Sequence, residues 1–191
     1  MELPPGKFIP AMNPPVPIPP ISPTPKILTI RPAVPGDTSV ILRFIRELAA
    51  YEREPDAVLA TEADLLRDGW GEPPRFSALI AEYGQEIAGF ALYFTTYSTW
   101  RGHHGIRLED IYVTPALRNR GIGRALLAKI AAICLEQGCP RLEWDVLEWN
   151  EPAIAVYRRL GATMQNDWRI MRLSGEALAA LASGDVAPTA A

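Results

Sequence analysis

Hydrophobic and polar positions follow two different periods along the chain, and the period predicts the element. Residues 27–31 read as a first strand, whereas Ile41, Phe44, Ile45 and Leu48 have helical spacing. Asp37 stands where an N-cap for that helix is expected. A second, short helix is predicted after residues 61–64, because Thr61 and Asp64 have capping-box spacing.

The rest of the chain continues as strands and helices. Residues 76–82 and 87–95 predict a hairpin that turns at 83–85, and another strand is expected at about 107–113. After a glycine loop, a helix is predicted up to Gly138, followed by a half-buried strand in which Leu142, Trp144 and Val146 alternate with acids. The last predicted elements are a helix from Asn150 to Gly161, a strand over 163–173 and a short helix from Ser174. This order predicts a mixed α/β sheet with helices on its faces.

Proline is concentrated at the start of the chain: 11 of the 19 prolines lie in the first 32 residues. Proline lacks an amide donor and disrupts helices and central strands. We therefore expect residues 1–26 to form a polyproline-like or disordered arm, residues 27–182 one folded domain, and residues 183–191 a disordered tail.

Composition narrows the function classes. The net charge of −3 argues against a nucleic-acid protein, which needs a basic surface. No apolar run reaches the ~18 residues of a membrane span, and no signal peptide is evident, so no membrane association and a cytoplasmic location are expected. Two cysteines and two adjacent histidines do not make a metal site, so no metal is expected.

The loop 118–124, Arg-Asn-Arg-Gly-Ile-Gly-Arg, indicates phosphate binding. It follows a strand and opens a helix, whose first amides and dipole attract anions. Three arginines add positive charge to a protein that is negative overall. A P-loop is excluded because Arg124 and Ala125 follow Gly123, and Leu126 stands where a dinucleotide fingerprint needs glycine or alanine. The pyrophosphate loop Arg-x-x-Gly-x-Gly of N-acetyltransferases and an ordinary glycine turn both remain open at this point.

Neighbouring motifs carry a family resemblance. The segments LEDIYV at 108–113, EWNEPA at 148–153 and YRRLGA at 157–162, together with the loop, resemble the GNAT superfamily. Within it, the chain is similar to the diamine (spermidine/spermine) acetyltransferases and, most of all, to their thialysine-acetylating branch. The resemblance spans roughly residues 27–182. It implies an α+β GNAT fold: a mixed, mostly antiparallel twisted sheet with helices on both faces and a splayed central strand pair.

The resemblance also implies roles for residues. Tyr157 would be the general acid at the thiol, and Glu109 the residue that helps to deprotonate the amine. Tyr51, Glu52, Trp100 and Glu109 would contact the amine. The acetyl-CoA contacts would be Ile111, Tyr112, Val113, Arg118, Asn119, Arg120, Gly121, Ile122, Gly123, Arg124, Asn150, Glu151, Pro152, Ala153 and Tyr157. It further implies a small-molecule amine substrate and a homodimer.

One departure affects the expected substrate. Polyamine-specific members carry an acid two residues before the tryptophan that matches Trp100, and here that residue is Ser98. The loss of a carboxylate favours a shorter amine, such as thialysine or another lysine-like amine. A polyamine acetyltransferase and a non-catalytic acyl-CoA-binding module remain the alternatives.

Overall fold

The structure, a computed structural model, describes residues 26–185. The proline-rich arm predicted over residues 1–26 therefore lies outside the described residues except for Lys26, and residues 186–191 of the tail predicted over 183–191 lie outside them too. The chain divides into two compact units, Met1–Trp144 and Asp145–Ala191.

The first unit contains a five-stranded sheet in the order β1-β2-β3-β4-β5. The strands are β1 (Leu28–Pro32), β2 (Ser77–Tyr83), β3 (Glu86–Ser98), β4 (His103–Val113) and β5 (Leu142–Glu143). Neighbours pair antiparallel except β4 and β5, which are parallel. The predicted mixed, mostly antiparallel sheet is confirmed.

Three helices belong to this unit: α1 (Thr38–Tyr51), α2 (Glu62–Trp70) and α3 (Ile122–Glu136). On one face of the sheet, α1 and α2 bury Ile41, Phe44 and Leu65 against side chains of β2, β3 and β4. Phe44 stacks on Phe90 with ring centroids 5.8 Å apart, and Tyr112 lies 5.7 Å from the same ring. This core fixes the C-terminal end of α1 next to the C-terminal half of β4.

Helix α3 covers the opposite face. Side chains alternate across a strand, so Leu79 and Ala91 point away from the α1 core. Both are almost fully buried, as are Leu126 and Ile130 of α3. The sheet therefore has helices on both faces, as the family resemblance implied.

Two short-range predictions are confirmed in atomic detail. Thr61 Oγ1 accepts from Asp64 N at 3.2 Å, and Asp64 Oδ2 accepts from Thr61 N at 3.0 Å, which closes the capping box of α2. Strands β2 and β3 pair up to Tyr83 and Glu86, so Gly84 and Gln85 form a two-residue hairpin turn. Gly84 has φ +67°, which such turns require and glycine readily adopts.

The predicted capping role of Asp37 is wrong for its side chain. Asp37 does precede α1, but its carboxylate makes no capping bond to the helix. Instead it accepts from Arg31 at 2.7 and 3.0 Å and from Val34 N at 2.8 Å. A bidentate guanidinium pair is stronger than a bond to a neutral amide, so the carboxylate ties α1 to β1.

The strand predicted around Leu142 is much shorter than its alternating pattern indicated. Only Leu142 and Glu143 pair with β4, opposite Ile106 and Arg107, and Trp144 and Val146 are outside the strand. A bulge in β4 at Glu109 interrupts the regular spacing of its backbone groups two residues after Arg107, and the ladder with β5 ends before it.

The second unit contains α4 (Glu151–Arg159) and α5 (Gly175–Ser183), both close to their predicted positions. The strand predicted over 163–173 is wrong: the described structure has none there. A strand needs a backbone neighbour, and the backbone bond found inside this segment is a local one from Trp168 N to Gln165 O. Ile170 and Met171 are 69% and 92% exposed, so these apolar side chains are not used for sheet packing.

Candidate active site

The glycine loop forms an open, positively polarised end of α3. Asn119 and Gly121 have φ +61° and +79°, which lets the chain reverse before the helix. The first helical bond runs from Ala125 N to Gly121 O at 2.9 Å. The amides of Ile122, Gly123 and Arg124 consequently have no acceptor within the helix and can bind an anion.

The two loop glycines leave room for a ligand against the backbone. A Cβ built on Gly121 would meet nothing within 4 Å, and one on Gly123 would meet only Val113 Cγ2 at 3.8 Å. A methyl group at either position would therefore occupy space that the protein itself leaves open. Exposed amide donors with this clearance fit the diphosphate of acetyl-CoA.

The three arginines of the loop occupy different surroundings. Arg118 Nε donates to Val113 O at 3.0 Å, and its guanidinium lies over Tyr51 at 5.0 Å and Tyr112 at 5.6 Å. Arg120 lies over the ring of Tyr83, at 5.5 Å. Arg124 is exposed on the first turn of α3. Only Arg118 therefore reaches back to the strand that precedes the loop through a contact seen in the described residues.

Glu109 is an extra residue in β4. Leu92 pairs with Asp110 and Tyr93 with Leu108, so Glu109 has no partner on β3. Such bulges often re-aim side chains beside active sites. The Glu109 side chain is 54% exposed, and its Oε2 lies 3.9 Å from Arg107 Nε.

Beyond the bulge, alternate residues of β4 direct their main-chain N–H and C=O groups toward opposite edges of the strand. Thr114 N donates to Ala88 O at 2.9 Å, so the Thr114 backbone faces β3. Alternation then turns the N–H and C=O groups of Ile111 and Val113 to the other edge. The β5 ladder has already ended at Arg107 and Glu143. A ligand with amide groups can add to such an edge as a strand does.

Three carboxylates converge at this part of β4. Burial, followed by the charges of Glu109 and Glu52, raises the pKa of Asp110 to about 6. Burial also raises the pKa of Glu52, which follows the last turn of α1. Glu52 and Glu109 therefore both act electrostatically on Asp110, and their contact with a cationic amine stays a prediction.

The structure does not bring every predicted amine contact together. Tyr51 lies beside Arg118, but Trp100 is at the tip of the β3–β4 hairpin and is 88% exposed. β4 rises ~3.4 Å per residue, so the His103 end of the strand is roughly 20 Å from Glu109. The role of Trp100 stays a prediction.

The remaining predicted site residues lie in the second unit. Asn150 caps α4, because its side-chain oxygen accepts from Ala153 N at 3.4 Å. Glu151 and Pro152 form the exposed first turn, where an acid and a proline are both favoured. Tyr157 is half-buried and lies two turns after Asn150, on the same side of the helix.

Sequence reasoning assigned no role to Asp110. The residue is next to Glu109 in sequence, but its raised pKa results first from burial and then from the charges of Glu109 and of Glu52, which is 58 positions away. The one sequence feature that pointed to Asp110 was its position beside Glu109. A pair of adjacent acids is equally typical of an ordinary solvated strand end.

Neither a metal-binding cluster nor a membrane-spanning helix is present among residues 26–185. No group of three histidine, cysteine or acidic side chains there is arranged to hold a metal ion. None of the helices in that range is both long and apolar enough to cross a bilayer. Cys134 and Cys139 are both buried.

Comparison with known proteins identifies the family. The model of the acetyltransferase (GNAT) family matches residues 42–162. The thialysine N-epsilon-acetyltransferase of Bos taurus is 43% identical over 164 residues, which cover 80% of this chain and 96% of that protein. The resemblance inferred from the motifs is confirmed.

Solved structures share the fold. An integron cassette protein from the mobile metagenome of V. cholerae superposes with a TM-score of 0.69 at 24% identity, covering 81% of this chain and 97% of its own. The aminoglycoside N-acetyltransferase AAC(6')-Iy in complex with CoA superposes with a TM-score of 0.64 at 19% identity, covering 81% and 99%. The open loop at α3 and the bulge in β4 agree with this assignment. The chain belongs to the acetyltransferase (GNAT) family and is an acyltransferase.

Proposed function

We propose that the protein transfers the acetyl group of acetyl-CoA to a primary amine of a small cationic substrate, with thialysine or a lysine-like amine favoured. One arrangement carries the proposal: the first amides of α3 have no acceptor in the helix, and β4, which ends shortly before that loop, carries Glu109 on a bulge. The first feature suits a diphosphate and the second suits an amine that must lose a proton.

The donor would be held by backbone groups more than by side chains. The amides of residues 121–124 would bind the diphosphate, with Asn119, Arg120 and Arg124 around them. The outward main-chain groups of Ile111 and the outward N–H of Val113, on either side of Tyr112, would bind the pantetheine amides, because Val113 O already accepts from Arg118 Nε at 3.0 Å. Residues 150–153 and Tyr157 are assigned to the same molecule by the family resemblance. When bound, acetyl-CoA supplies the acyl group as a thioester.

The chemistry requires two proton movements. An aliphatic amine has pKa ~10.4 and arrives protonated, so it must lose a proton before it can attack. Glu109, exposed on its bulge, would accept this proton directly or through water. Tyr157 would donate a proton to the departing thiolate, whose conjugate acid has pKa ~8.5.

A direct attack on the thioester suits the residues better than an acyl-enzyme. A covalent route needs an activated nucleophile beside a base. Both cysteines are buried, and burial raises the pKa of Cys134, which disfavours its thiolate. We therefore infer attack by the amine within a ternary complex.

A short amine is favoured for two reasons. The bovine relative is named for thialysine, and its sequence matches 80% of this chain. Ser98 stands where polyamine-specific members have an acid, and Glu52, Glu109 and Asp110 are coupled electrostatically as one set of carboxylates. One group of negative charge suits one ammonium group better than a long polycation. Acetylation of a polyamine is the alternative substrate, and a CoA-binding module without turnover is the alternative class.

Competition between amines tests the proposal. The protein is mixed with acetyl-CoA and with thialysine, lysine, ornithine or spermidine, and the release of free thiol is followed. We expect thialysine to have the highest kcat/KM and to suppress spermidine acetylation in mixtures. A higher kcat/KM for spermidine supports the polyamine alternative. CoA binding without thiol release on any amine supports the non-catalytic module.

We further propose that the protein forms a homodimer, as the resemblance implies. Support comes from the adjacent residues Ile170 and Met171, which are 69% and 92% exposed in the single chain. Contiguous exposed apolar residues often mark an interface. Sedimentation equilibrium measures the mass in solution, and a mass of one chain at all concentrations contradicts this proposal.

A further inference from the structure

Arg118 connects three elements that meet beside the bulge. Its Nε donates to Val113 O at the end of β4, and its guanidinium lies over Tyr51 at 5.0 Å, in the last turn of α1. The same guanidinium lies over Tyr112 at 5.6 Å. One side chain thus spans the loop before α3, the end of β4 and the end of α1.

These contacts use the shape of arginine as well as its charge. A guanidinium is planar, so it can stack on an aromatic face while its edge donates a hydrogen bond. Lysine carries the same charge on a compact ammonium group and cannot make both contacts in this geometry. The arrangement therefore distinguishes Arg118 from Arg124, which is exposed on the first turn of α3.

The contact to Tyr51 has a consequence for the amine side of the site. Glu52 directly follows Tyr51 and interacts with Asp110 and, through it, with Glu109. A shift of the last turn of α1 would therefore move Tyr51 and Glu52 together relative to the β4 carboxylates.

We propose that Arg118 is a positioning residue for the amine: by bonding Val113 O and stacking on Tyr51, it fixes the end of α1 against β4. This inference rests on the function proposed above. It assigns to a residue of the donor loop an effect on amine affinity, exerted through Tyr51. A residue that only gripped the diphosphate would affect acetyl-CoA and leave the amine unchanged.

A double-mutant cycle tests the proposal. Arg118→Lys, Tyr51→Leu and the double variant are compared with the wild type, and the dissociation constant of thialysine is measured by calorimetry with CoA present. We expect each single variant to weaken thialysine binding about three- to fivefold, the range of an exposed cation–π contact. The double variant should be no weaker than the worse single one, because both changes break the same contact.

The control is a second cycle with Arg124→Lys and Tyr51→Leu. Their effects on the dissociation constant of thialysine should multiply in the double variant. If the effects of Arg118→Lys and Tyr51→Leu on the dissociation constant of thialysine multiply in the double variant, the inference is overturned. It is also overturned if Arg118→Lys alters only the affinity for CoA. The cycle is repeated on the free energy of unfolding without ligand, and independent effects there also contradict the contact. Wild-type protein that binds CoA but no amine refutes the proposed function instead, so the two failures are distinguishable.

Discussion

Asp110 lies in register with Leu92, whereas its neighbour Glu109 has no partner on β3. The bulge separates the two adjacent carboxylates into different environments. Glu109 is 54% exposed next to Arg107, and burial raises the pKa of Asp110 to about 6. An exposed carboxylate can exchange protons with the amine and solvent, while the half-buried Asp110 is mostly ionised at neutral pH and adds negative charge to the same part of β4.

Glu109→Gln should therefore lower kcat and leave CoA affinity unchanged. The amide has nearly the same shape but accepts no proton, and general-base catalysis contributes about 100- to 10,000-fold. Steady-state kinetics with thialysine measures the loss. Glu136→Gln, an exposed change at the end of α3, serves as the control. A kcat within threefold of the wild type would remove Glu109 from this role.

Asp110→Asn should change how stability depends on pH. The folded state holds the Asp110 proton more tightly than the unfolded chain, since the pKa rises from 3.8 to about 6. The wild type therefore loses unfolding free energy as pH rises from about 4 to about 6, by up to about 3 kcal/mol at 1.36 kcal/mol per pKa unit. The variant lacks this loss.

Urea unfolding at pH 4, 5, 6 and 7 measures the difference between the Asp110→Asn variant and the wild type. We expect the variant to gain relative stability across this range and then to reach a plateau. Asp56→Asn, an exposed change, provides the comparison. Parallel pH curves for the variant and the wild type would show that Asp110 is not protonated in this window.

Tyr157→Phe should bind CoA as the wild type does and lose most turnover. The phenyl ring keeps the packing of the half-buried residue but has no proton for the thiolate. Tyr97→Phe, at the exposed end of β3, is the control. Unchanged turnover in the Tyr157 variant would exclude it as the general acid.

Local signals predicted much of the fold. The capping box at Thr61 and Asp64, the Gly84 turn and the Asn150 cap each depend on residues within a few positions, and all three are present. The glycine loop also lies where expected, between a strand and a helix. At these places the residues of the motif themselves form the cap or the turn, so the local structure can be predicted from the sequence alone.

Long-range effects could not be predicted in the same way. The carboxylate of Asp37 was expected to cap α1, but Arg31, six positions earlier on the separate element β1, competes for it. A strand was expected over residues 163–173, but a strand also needs a backbone neighbour, which the local sequence does not guarantee. The bulge at Glu109 and the burial of Asp110 depend likewise on register with β3 and on the packing of α1.

Gly123→Ala tests most directly whether the opening of α3 binds the acyl donor. The residue is helical, and its Cβ would meet only Val113 Cγ2 at 3.8 Å, so the fold should keep its stability or gain up to about 1 kcal/mol. Gly36→Ala, at another unobstructed glycine, is the control. Calorimetric titration with CoA should show at least a tenfold weaker dissociation constant for the Gly123 variant alone. Equal CoA affinity in the wild type and a stably folded Gly123→Ala protein would contradict the assignment of this loop to the diphosphate.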